Sequence, residues 1–204
     1  MITYMSDIIC FTNRVLCGEG FLARIEAVAK ARPAGIVLRE KDLSPEAYKA
    51  LAGSVLEICK VYDVPCILHT FAEAAAELGA DKLHMPLPLL RRMGLEKRAG
   101  FSVLGASCHS AEDAREAEAL GCTYITAGHV FDTDCKKGLP GRGLPFLRAV
   151  CESVSIPVYA IGGIGPGNAA AVRETGAAGI CVMSGAMTCA DPSAYFAGLL
   201  KSCI

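Results

Sequence analysis

Apolar residues along this chain gather into eight short runs, separated by longer amphipathic stretches. The runs are 7–11 (DIICF), 34–39 (AGIVLR), 65–69 (PCILH), 82–85 (KLHM), 102–107 (SVLGAS), 123–128 (TYITAG), 156–163 (IPVYAIGG) and 179–184 (GICVMS). They are rich in apolar and β-branched types and hardly alternate with polar residues, the pattern of strands buried on both faces of a parallel sheet. The stretches between them begin and end as helices do. Ser44 precedes Pro45, Ser110 precedes an acidic first turn, and Asp191 precedes Pro192; each is a capping residue ahead of a helix start. Gly79, Gly121 and Gly176 each close a helical stretch shortly before the next apolar run, because left-handed backbone ends a helix sharply. This repeated unit predicts an α/β fold, a (β/α)8 TIM barrel, forming a single domain over 1–204. A doubly wound open sheet usually has fewer strands at this length, and the early GxGxxG turn of a dinucleotide site is missing.

Composition narrows the function classes. The chain has 204 residues, a formal net charge of −1 and 52% hydrophobic residues. Without a basic excess or stripe, nucleic acid is not expected as a partner. No apolar run is long enough to span a bilayer, and the N-terminus lacks the basic region and long apolar stretch of a secretory signal. Eleven cysteines, an odd number with no CxxC pair, read as reduced and mostly buried thiols. A cytoplasmic protein is expected, with a homo-oligomer left open.

The candidate chemistry sits at the ends of the strands. All four histidines, His69, His84, His109 and His129, fall where a predicted strand hands over to a loop. In a parallel barrel those loops share the face where active sites form, and imidazole can move protons or bind metal near neutral pH. Gly162 and Gly163 follow the seventh run, and Ser184 and Gly185 follow the eighth. Loops at those two places frequently hold a phosphate, which glycine lets the backbone N–H groups approach. The segment AGHVFDTDCKKGLPGRG (127–143) is long, polar and glycine-hinged, as a rim loop or lid would be. Arg39 and Lys41 after the second run can bind a substrate carboxylate, or Arg39 can pair with Glu40. A site of three or four histidines for a metal is disfavoured, since no HxH pair and no adjacent carboxylate supports it.

Arg39-x-Lys41, GxSxHS at 105–110, GHVFDTDCKKG at 128–138, IPVYAIGGI at 156–164 and VMSG at 182–185 together resemble the thiamine phosphate synthase superfamily. Within it the chain resembles the TenI-type thiazole tautomerase branch, most specifically in GHVFDTDCKKGLPGRG. Synthases carry an Asn-Asp pair after strand 3 and an acid after strand 4, tied to magnesium and pyrophosphate; here His69-Thr70-Phe71 and His84-Met85-Pro86 stand instead. Magnesium requires hard oxygen ligands. The resemblance therefore implies an isomerase of thiamine biosynthesis that aromatises a carboxylated dihydrothiazole phosphate. It would need no metal or organic cofactor. His129 is the implied catalytic acid–base, since a proton must leave the ring and another arrive. Arg39, Lys41, Ser107, His109, Thr133, Cys135 and Lys136 are the expected substrate contacts, with Gly162, Gly163, Ser184 and Gly185 on the phosphate. Two other readings stay open: a thiamine phosphate synthase joining a pyrimidine pyrophosphate to a thiazole phosphate, and a regulatory, ligand-binding barrel without catalysis.

Overall fold

The computed structural model describes residues 5–136 and 138–201, so Lys137 lies outside it. Eight strands close in sequence order into one parallel barrel: β1 (Met5–Phe11), β2 (Pro33–Leu38), β3 (Cys66–His69), β4 (Lys82–Pro86), β5 (Val103–Cys108), β6 (Tyr124–Gly128), β7 (Val158–Ile161) and β8 (Gly179–Val182). Helices pack outside: α1 (Phe21–Lys30), α2 (Pro45–Val61), α3 (Ala72–Glu77), α4 (Leu87–Leu90), α5 (Leu95–Ala99), α6 (Ala111–Ala119), α7 (Gly143–Glu152), α8 (Ala169–Arg173), α9 (Ser184–Thr188) and α10 (Pro192–Lys201). The (β/α)8 expectation holds, with every predicted run on its strand to within a residue or two.

The end signals act as read. Ser44 accepts from the N–H of Ala47 with Pro45 at the first helical position, and Ser110 accepts from the N–H of Asp113. Gly79, Gly121 and Gly176 all have positive φ.

Apolar side chains separate into two layers. The larger lies between barrel and helices, where Ile8, Leu38, Leu68, Leu83, Leu104, Ile125 and Ile180 meet Ile25, Val55, Leu90, Leu147 and Phe196. The smaller fills the barrel, with Ile9, Phe11, Val37, Ile67, Tyr124 and Cys181. Burial on both faces is why the strands show no polar alternation. Thiol burial follows: Cys10, Cys59, Cys66, Cys108, Cys122 and Cys181 are buried and free.

Candidate active site

The C-terminal ends of the strands surround a cavity of about 560 Å³. Its wall includes Arg39, Lys41, Ser107, His109, His129, Thr133, Lys136, Gly162, Gly163, Ser184 and Gly185, so residues far apart in sequence converge on one space. The Cys135 side chain lies outside the described residues. A shallower basin of about 970 Å³, between the loop after β1 and the loop after β6, shares Thr133, Lys136 and Ser184 with it.

Three of the four histidines, His69, His109 and His129, line this cavity, while His84 is not on its wall, which corrects the sequence expectation for that residue. His69 and His84 are register partners on β3 and β4 and point into the barrel, where both are buried. Their rings stack with centroids 5.5 Å apart. His84 Nδ1 meets the Tyr124 hydroxyl and its Nε2 meets Ser107 Oγ, each at 2.9 Å. His69 Nδ1 meets Thr70 Oγ1 at 2.6 Å. The other two histidines are at the mouth. His109 Nδ1 lies 2.7 Å from the Gly128 carbonyl, and His129 Nε2 lies 3.2 Å from that of Leu139. Among the described residues no cluster of three or more histidine, cysteine, aspartate or glutamate side chains is arranged to hold a metal.

Burial sets the protonation of the inner pair. It pulls His69 down to about 2, helped by the charges of His84, Lys41 and Arg39, and pulls His84 down to about 3, helped by Lys41. Both are therefore neutral near pH 7. An unfolded histidine takes its proton near 6.5, so below that pH the unfolded chain binds more protons than the folded one. Stability from these groups is full above pH 6.5 and falls on acidification towards their folded values. Each histidine is expected to remove about 1.4 kcal/mol per pH unit across that window. Urea midpoints from pH 7 to 4 measure it; a flat profile would contradict the buried, neutral assignment.

Arg39 and Lys41 owe their positions to the residue between them. Glu40 turns inward, accepting from Thr12 Oγ1 at 2.6 Å and from the Arg14 N–H at 3.1 Å, while Thr12 Oγ1 accepts from the Arg39 N–H at 2.9 Å. This buried knot ties the loops after β1 and β2 together and leaves the neighbouring cationic side chains on the cavity wall. The alternative pairing of Arg39 with Glu40 is not formed. Partial burial, then the charges of Arg39 and Lys136, hold Lys41 below its ordinary value. Among the described residues none of the three cations is in an ion pair.

The glycines after β7 have a packing reason as well. A Cβ on Gly162 would strike His129, and one on Gly163 would strike Phe131 and Asp132, because the loop after β6 lies directly over them. On Gly185 it would meet the Tyr195 hydroxyl from α10. Close backbone packing thus fixes these glycines, besides any approach to a phosphate. Cys108 lines the cavity, but burial and then Asp113 push its thiol up to about 12, so it is no nucleophile at neutral pH.

Sequence reading missed several wall residues: Phe11, Arg91, Thr126, Ile161 and Tyr195. Phe11, Thr126 and Ile161 were identifiable as inward positions only once strand register was known. Tyr195 carries no local signal, since it arrives from the last helix.

A diphosphate-bridging magnesium does not fit these donors. Strand β3 ends at His69 with Thr70 after it, and β4 ends in Met85 and Pro86, with no carboxylate at either place. Among the described residues Asp113 is the one carboxylate on the cavity wall, and its oxygens face the His109 N–H at 2.8 Å and Arg91 at 3.8 Å.

The sequence matches the family described as thiamine monophosphate synthase over residues 8–186. It is 34% identical to a thiamine-phosphate synthase of Desulfitobacterium hafniense across 93% of both chains. It is 33% identical to thiamine-phosphate synthase 2 of Streptococcus pneumoniae, across 90% of this chain and 88% of that one. The solved thiamine phosphate pyrophosphorylase of Pyrococcus furiosus superposes with a TM-score of 0.82 at 29% identity, covering 98% of this chain and 96% of its own. These relatives overturn the tautomerase reading. That reading rested on the loop 128–143 and on the missing acidic positions after β3 and β4. The likeness instead spreads over nearly the whole chain. The chain belongs to the thiamine monophosphate synthase family.

Proposed function

We propose that the chain joins a pyrimidine diphosphate to a thiazole phosphate, forming thiamine phosphate and releasing pyrophosphate. One observation supports this reading: a single cavity is lined both by three cations, Arg39, Lys41 and Lys136, and by the glycine-bearing loops after β7 and β8. An isomerase of a carboxylated thiazole phosphate would set one singly charged carboxylate against three cations, whereas a diphosphate carries the charge to match them. The loops after β7 and β8, through Gly162, Gly163, Ser184 and Gly185, suit the thiazole phosphate, and Arg39, Lys41 and Lys136 suit the diphosphate. Phe11, Ile161 and Met183 supply apolar wall for the two rings.

In the reaction the thiazole nitrogen uses its lone pair to form a bond to the exocyclic carbon of the pyrimidine. The bond from that carbon to oxygen breaks, and pyrophosphate leaves with the electron pair. Negative charge grows on the departing group, and fixed cations beside it stabilise the transition state more than the ground state. Alkylating an aromatic nitrogen releases no proton. A proton shuttle at His129 therefore belongs to the discarded isomerisation. Its ring bonds the Leu139 carbonyl and so fastens the loop 132–141 to the end of β6, placing Thr133 and Lys136. Ser107 and His109 line the wall beside them, with His109 held by Gly128.

The test is incubation with both substrates, followed by chromatography for thiamine phosphate and a separate assay of released pyrophosphate. Equimolar appearance of the two at catalytic rate is expected. Their absence, with the folded protein intact, would refute the assignment.

A further inference from the structure

We infer that this chain holds the diphosphate of its substrate without a divalent cation, by the trio Arg39, Lys41 and Lys136, which form no ion pair among the described residues and are set above an uncharged floor. The inference rests on the proposed function and concerns how that site balances charge. A divalent ion is useful where carboxylates and a diphosphate must share a pocket, because it bridges two anionic partners that would otherwise repel. Among the described residues the carboxylate half of that arrangement is missing from the ends of β3 and β4. The strand ends that would present acids present His69, Thr70, Met85 and Pro86. His69 and His84 are buried and stay neutral near pH 7, so they do not repel an anion, and an imidazole nitrogen is not the hard oxygen donor that magnesium takes.

Among the described residues these three cations take part in no ion pair. The residue between Arg39 and Lys41 has a settled place: Glu40 is bound by Thr12 and Arg14. Arg39 and Lys136 stand close enough to Lys41 for their charges to disfavour its protonated form. Clustered like charges cost free energy in the empty protein. A multiply charged anion removes that cost on arrival, and the planar fork of Arg39 can bind two of its oxygens at once. Asp113 offers no alternative anchor for a metal, since its carboxylate already faces the His109 N–H and Arg91.

Calorimetric titration of inorganic pyrophosphate into the whole chain tests this, once in EDTA and once in excess magnesium. Saturable binding in EDTA is expected, with magnesium tightening it by less than about threefold. Arg39→Met and Lys41→Met, each checked for an unchanged melting temperature, are expected to weaken binding in EDTA by about tenfold or more. Binding that appears only with magnesium, or two variants that bind as the parent does, would overturn the inference. The two proposals separate cleanly. Thiamine phosphate made with magnesium but not in EDTA sinks the metal-free site and leaves the reaction. Pyrophosphate bound in EDTA with no product formed does the reverse.

Discussion

Gly105→Ala is expected to lower the melting temperature by roughly 10 °C. The residue sits on β5 between His84 and Tyr124 in the same register row, and a Cβ there would fall on the Tyr124 ring. The absent side chain is what lets that ring reach across β5 and place its hydroxyl 2.9 Å from His84 Nδ1. A methyl group must push the ring aside. The overpacking costs about 1–3 kcal/mol, and a buried imidazole nitrogen stripped of its partner adds about 1–3 kcal/mol. His84 also bonds Ser107 on the cavity wall, so pyrophosphate and substrate affinity should fall with stability. Gly53→Ala is the matched control. Nothing lies within 4 Å of its built Cβ in the middle of α2, and alanine there should stabilise by about 0.5–1 kcal/mol. Thermal melts of both variants decide the matter; equal shifts would mean that Tyr124 does not occupy the space above Gly105.

Arg39→Met should reduce the rate of thiamine phosphate formation by about 10²–10³, with little change in stability. The side chain carries the effect because the backbone is anchored separately. The Arg39 N–H donates to Thr12 and the buried Glu40 knot holds the loop, and neither depends on the guanidinium. Arg39→Lys keeps the charge but loses the two-pronged geometry, so an intermediate loss is expected. Steady-state kinetics with both substrates, beside melts of each variant, measure the outcome. A rate within about twofold of the parent would remove Arg39 from the diphosphate site.

Much of the site was legible because chemistry in a parallel barrel concentrates at strand ends, and the strand ends are written in the apolar runs. Arg39, Lys41, His109, His129 and the paired glycines could all be placed on one face before any coordinates existed, and the cavity contains them. The histidines show where that logic stops. His84 lies near a strand end as the others do, yet it is fully buried and bonded to Tyr124 and Ser107, while the buried His69 reaches the cavity wall from inside the barrel. Inward or outward is a matter of register, and register depends on a partner strand. The missing acids were read correctly as residues but wrongly as a reaction. Their absence is confined to two strand ends, while the likeness to synthases extends over most of the chain.

The one-dimensional chain settled what depends on neighbours in sequence: eight buried strands, their order, and the helix starts at Ser44 and Ser110. Only the closed barrel decided what depends on distant groups meeting. It set Glu40 between two loops, laid the loop after β6 over Gly162 and Gly163, and passed Tyr124 across Gly105 to His84. Local propensity and patterning act over a few residues, whereas burial, protonation and the clustering of three cations arise when the strands close and water leaves the interior.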